Sequence, residues 1–109
     1  MAELVVYVTE EGKAPFDEWF NKLDTAAALK VRTALARIET GNLGDVKPVG
    51  QGVSERRIPF GPGYRVYFGQ DGDKLVILLC GGTKKRQSQD IEQAKAFWDD
   101  YKSRKQKGN

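Results

Sequence analysis

The chain has 109 residues with 30% charged and 39% hydrophobic side chains, the size and balance of one globular domain with a single modest core. It has no histidine and one cysteine, which excludes Ser/His, Cys/His and His-metal chemistry as well as an internal disulfide. The net charge of +3 hides an asymmetry: residues 1–46 carry 5 Lys/Arg against 8 Asp/Glu, and residues 47–109 carry 13 against 7. A basic second half on a small domain points to a polyanionic partner.

In chain order, Glu3–Thr9 (ELVVYVT) reads as a strand, and Glu10-Glu11-Gly12-Lys13 as a polar break. Pro15 suits the first position of a helix whose apolar face is Phe16, Trp19, Phe20 and Leu23. Asp24 or Thr25 caps a second helix carrying Ala28, Val31, Leu35 and Ile38, and Gly41 ends it. Lys30, Arg32 and Arg37 fall on or near the exposed side of this hairpin. Residues 42–53, glycine-rich and without periodicity, read as a loop. SERRIPF, YRVYFG and LVILLC then read as three strands, separated by Gly61-Pro62-Gly63 and by a turn at Asp71-Gly72. The unbroken apolar run of LVILLC predicts an inner strand covered on both faces, with Cys80 a small buried hydrophobe. A last helix begins at Ser88 or Gln89, with Ile91, Ala94, Trp98 and Tyr101 as its stripe and Phe97 beside it. Residues 1–101 form the domain, and 102–109 read as a basic, disordered tail. The order β-α-α-β-β-β-α is a single α+β domain.

LVVYV is too short for a signal peptide and no apolar run reaches the ~20 residues of a membrane span, so the expectation is a cytoplasmic protein with no membrane partner. The chemistry left to such a chain is cation-based phosphate chemistry without cofactor or metal. Strand alternation puts Ile58, Phe60, Val66 and Phe68 on one face and Glu55, Arg57, Arg65 and Tyr67 on the other. Lys84, Lys85 and Arg86 stand at the rim, after a Gly81-Gly82 pair whose amides could receive an oxyanion. Arginines there would hold a phosphodiester, and a lysine crowded by cations could serve as acid or base. The simpler alternative is a solvent face on which Glu55 pairs with Arg57 or Arg65.

GDVKPVGQGVSERRIPFGPGYRVYFG, followed by LLCGGTKKRQSQDIEQAKAFW, resembles the phage-derived RelE/HigB-like toxins, the addiction-module killer proteins of type II toxin–antitoxin systems. The carrying motifs are GYRVYF and GGxKxxQxxDI with Trp98 downstream, and the likeness runs from about Val5 to Tyr101. It implies two N-terminal helices packed on a twisted antiparallel sheet that includes the first strand. It also implies ribosome-dependent mRNA cleavage, held off by a cognate antitoxin, expected to be a helix-turn-helix protein encoded alongside.

The resemblance matches Arg65 to an arginine on the scissile phosphate and Arg57 to a basic position on the preceding strand. It puts a further catalytic cation among Lys84, Lys85 and Arg86. The expected mechanism for this chain has Glu55, Lys84 or Lys85 as base, Arg57 and Arg65 stabilising the transition state, and Arg56, Tyr67 and Arg86 contacting RNA, although Glu55 and Arg56 stand where the family pattern has a basic and an apolar residue. Two other classes share the fold: a ParE-like toxin that binds DNA gyrase, and an inert binding module of an antitoxin pair.

Overall fold

The strand built on LVILLC lies inside the sheet, as its apolar run requires. In the computed structural model, which describes residues 1–107, β5 (Leu75–Thr83) pairs with a strand on each edge. The elements are β1 (Glu3–Val6), α1 (Pro15–Asn21), α2 (Thr25–Glu39), β2 (Val46–Gly50), β3 (Val53–Ile58), β4 (Tyr64–Asp71), β5 and α3 (Gln87–Lys107). A 3₁₀ turn over Lys84–Arg86 joins β5 to α3. The sheet order is β1-β5-β4-β3-β2. This is an α+β fold with a mixed sheet.

Local signals account for the helices. Pro15 opens α1, where a missing N–H costs nothing. Asp24 accepts a hydrogen bond from Ala27 N at 2.8 Å to cap α2. At the other end Gly41 takes φ +92°, its N–H donates to Ile38 O and that of Asn42 to Arg37 O, a Schellman ending. The buried stripe of α2 is Ala27, Val31, Ala34 and Ile38, with Ala28 and Leu35 at its margin. With Phe16 it covers Ile58, Val66, Phe68, Val76 and Leu78 on one sheet face. α3 lays Ala94 and Trp98 on the other, over Tyr7, Val53, Tyr67, Ile77, Leu79 and Cys80. Cys80 is buried as expected, and that burial pushes its thiol up to about 12.

Four features depart from the sequence reading. The stretch read as a loop contains β2, an antiparallel edge strand in register with β3 from Val46↔Arg56 to Pro48↔Ser54. An edge tolerates Pro48 because its missing N–H can face away from the ladder. The strand returns through Gly50, Gln51 and Gly52, all at positive φ. The sheet is not wholly antiparallel either: β1 runs parallel to β5. Tight turns force β3, β4 and β5 to alternate, whereas β1 is joined to the rest through two helices, and such a crossover permits a parallel strand. α3 starts at Gln87 and runs to Lys107, through most of the expected tail; 108 and 109 lie outside the described residues. Its last turns are tied by Lys105–Asp71 at 2.6 Å and Arg104–Asp100 at 2.9 Å.

The fourth departure bears on function. The face carrying Glu55, Arg65 and Tyr67 is not open to solvent, because α3 lies across it. Glu55 and Tyr67 are fully buried and Arg65 is 8% exposed.

Candidate phosphate-binding cleft

β3 and β4 pair with Glu55 opposite Tyr67 and Arg57 opposite Arg65, so the four share one face as alternation required. Within that face, burial separates them. Glu55 lies deepest and accepts three hydrogen bonds: from Arg65 Nη1 at 3.0 Å, from the Tyr67 hydroxyl at 3.3 Å and from Gln87 Nε2 at 2.7 Å. Both of its oxygens are engaged, so no lone oxygen faces a substrate and the general-base role has no opening. The carboxylate instead fixes the Arg65 guanidinium. Burial and the neighbouring Glu55 charge raise the Tyr67 phenol well above its ordinary value, holding it protonated as a donor to Glu55. Tyr67 is therefore out of reach of RNA.

Arg65 faces forward into a cleft of about 450 Å³ whose lining includes Arg57, Tyr64, Lys84 and Asp45. Its Nε is buried and has no partner. Arg57 lies at the mouth, bonded through Nη2 to Asp45 Oδ1 at 2.7 Å, and that carboxylate raises its already high pKa. It pairs with Asp45 on the β2 approach, not with Glu55. Lys84 is positioned by its own backbone: its N–H donates to Gly63 O at 2.8 Å, tying the 3₁₀ turn to the β3–β4 loop. Three cations and one carboxylate thus share the cleft, a field suited to an oxyanion.

The remaining candidates lie elsewhere. Lys85 and Arg86 are exposed and do not line the cleft; Arg86 reaches toward Asp90 at 4.0 Å. Arg56 alternates onto the α2 face, away from Arg57 and Arg65. Gly81 and Gly82 do not cradle an anion. They sit inside β5, in register with Val66 and Arg65, and a Cβ at either would collide with Trp19 or with the Asp90 carboxylate.

Gln87, Asp90 and Asp45 were not singled out from the sequence as site residues. Two of them stand in GGxKxxQxxDI, and the structure gives each position of that motif a physical task. Gly81 makes room for Trp19, Gly82 for Asp90, Lys84 enters the cleft, Gln87 holds Glu55, and Ile91 packs from α3 against the core on that sheet face. Asp90 sits on β5 with a buried, unpartnered Oδ2, and its burial raises its pKa. Asp45 carried no signal beyond its charge, because it acts only once β2 is in place.

A family model described as "Phage derived protein Gp49-like (DUF891)" matches residues 18–97. The chain is also 48% identical over 81 residues to an "Uncharacterized protein" of Haemophilus influenzae, covering 73% of this chain and 82% of the relative.

Proposed function

The chain belongs to the family of phage-derived Gp49-like proteins, a family associated with toxin–antitoxin modules, and on that premise we propose that it is the toxin of a type II module, acting as a metal-independent mRNA endoribonuclease of the RelE/HigB kind. The observation that carries this reading is the convergence of Arg57, Arg65 and Lys84 on one cleft, with Arg65 locked from behind by Glu55. In the reaction, the 2′-oxygen bonds to phosphorus as the bond to the 5′-oxygen breaks. The products are a 2′,3′-cyclic phosphate and a 5′-hydroxyl. Arg65 and Arg57 carry the charge that builds on the phosphoryl oxygens, and Lys84 protonates the departing 5′-oxygen. The proton of the 2′-hydroxyl passes to water, since Glu55 has no open oxygen. A ribosome that presents the mRNA in line would supply much of the rate by positioning.

The engagement of both Glu55 oxygens also favours a second reading, in which the cleft binds an anionic partner without cutting it, as in a gyrase-directed toxin or an inert binding module. Induction of the protein followed by mapping of mRNA 5′ ends separates the two. Discrete new ends in translated transcripts, lost with Lys84→Ala, are the expected result. Intact transcripts in cells whose growth is arrested would refute cleavage.

A further inference from the structure

On the other side of the Ile58–Pro59 segment, against α2, lies a second cleft of about 220 Å³. Lys30, Arg37 and Arg56 line it together with Phe60, and no carboxylate is among its described lining residues. None of the three cations has an ion-pair partner among the described residues. Lys30 stands 5.3 Å from the centre of the Phe60 ring. Arg56 is the structural curiosity of the group: it is 7% exposed, set among Ile58, Val66 and Phe68 on a largely apolar sheet face, and its Nε is buried without a partner. One of its Nη atoms donates to Arg57 O, and its guanidinium lies flat against Gly44, where a Cβ would come within 2.7 Å of Nη2. The nearby Asp45 is committed to Arg57.

A buried guanidinium faced by two further cations is costly in the free protein, and an arriving anion relieves that cost. The position is also informative. Ile58 and Pro59 line both clefts, so the two cationic sites are separated by the width of one strand end. An extended polyanion can occupy both; an isolated carboxylate cannot.

We infer that the Lys30–Arg37–Arg56 cleft is a second phosphate site, which takes a backbone phosphate of the same RNA strand whose scissile phosphate enters the Arg57–Arg65–Lys84 cleft, the strand passing over Pro59. This rests on the RNA reading above. Buried Arg56 forms the floor of the site, and the exposed side chains of Lys30 and Arg37 meet the phosphate from the α2 side.

The test is equilibrium binding of 2′-O-methylated single-stranded RNA, in which cleavage cannot intervene, to the whole protein across a range of salt. A trinucleotide and a dodecanucleotide serve as probes. Lys30→Gln/Arg37→Gln changes two exposed side chains of α2 and should melt like the parent chain. It should weaken the dodecanucleotide about tenfold and flatten its salt slope by about 1.4, two contacts at ~0.7 each, while leaving the trinucleotide unchanged. An unaltered dodecanucleotide slope in that variant, with the slope still responding to Arg57→Gln/Lys84→Gln, would overturn the second site alone. If neither pair of substitutions alters RNA binding, the RNA reading itself fails. Polyglutamate bound as tightly as RNA, and released by Lys30→Gln/Arg37→Gln, would reassign the cleft to an acidic protein partner.

Discussion

Glu55 and Arg65 form a buried ion pair, the one within 4 Å for either side chain among the described residues, and this sets what substitutions there mean. An arginine on an open strand face could be removed at little cost. In the structure, Arg65→Ala leaves a fully buried carboxylate held only by Tyr67 and Gln87. Breaking such a pair costs about 3–5 kcal/mol, a large share of the 5–15 kcal/mol typical of a domain. If the proposed cleavage is right, a loss of activity in Arg65→Ala would therefore mix lost chemistry with lost folding, and Lys84→Ala at the exposed rim is the cleaner probe of that proposal. A double-mutant cycle in urea should show Glu55→Ala and Arg65→Ala coupled by about 2 kcal/mol or more, the double variant being less unstable than the sum. Additivity within about 0.5 kcal/mol would mean the pair contributes nothing as a pair.

Among the elements, β5 is held in place by what its glycines omit. Gly81 sits beneath the Trp19 ring of α1, and the indole occupies the space a Cβ would need. Gly81→Ala should therefore overpack the α1–β5 contact and cost about 1–3 kcal/mol. Adding Trp19→Leu should recover part of that loss, measured by thermal melting. No recovery would indicate that the strand backbone, not the ring, resists the extra carbon. α3 is tied differently, by ionised groups at its far end. Asp71 accepts from Lys105 and from the Tyr101 hydroxyl, each at 2.6 Å, and Asp100 accepts from the Tyr7 hydroxyl at 2.6 Å and from Arg104 at 2.9 Å. These donors hold both carboxyls below the usual aspartate range. A depressed folded pKa contributes stability that is present above the unfolded value of about 4 and is lost as the pH falls through the folded one. Amide protection over Trp98–Lys107 should thus fall between neutral pH and pH ~3. In Asp71→Asn/Asp100→Asn it should already be low at neutral pH and change little on acidification. Identical acid profiles in the two proteins would remove these carboxyls from the anchoring of α3.

For the whole molecule, helices on both faces of the sheet leave its β3–β4 end uncovered, and there positive charge gathers in two clefts, one lined by Arg57, Arg65 and Lys84 and the other by Arg56 with Lys30 and Arg37 of α2. We propose a cognate antitoxin with an acidic segment lying over Arg57, Arg65 and Lys84, its association fast and salt-sensitive. Hydrogen exchange on the complex should show protection over Ser54–Gly69. Protection confined to Phe16–Ile38 would instead indicate docking along the helical hairpin, where Arg32 packs 5.4 Å from the Phe20 ring centre, and would overturn the blocking model.

The sequence by itself determined the elements whose signals are local. Phe16, Trp19, Phe20 and Leu23 recur at helical spacing, Asp24 or Thr25 and Gly41 bracket α2, and the apolar run of LVILLC points to an inner strand. Alternation also grouped Glu55, Arg57, Arg65 and Tyr67 correctly, since side chains two apart on a strand must share a face. Only the tertiary structure decided what covers that face. A period of two says which residues stand together but not whether a helix lies over them, so Glu55 and Tyr67 read as a solvent surface until α3 was placed on it. β2 was illegible for a related reason: VKPVG has no alternation of its own and becomes a strand by borrowing the ladder of β3. The contact from Gln87 to Glu55 spans 32 positions, and the meeting of Lys30, Arg37 and Arg56 joins a helix to a strand. Such distant meetings depend on how packed layers stack, which no local run of residues encodes.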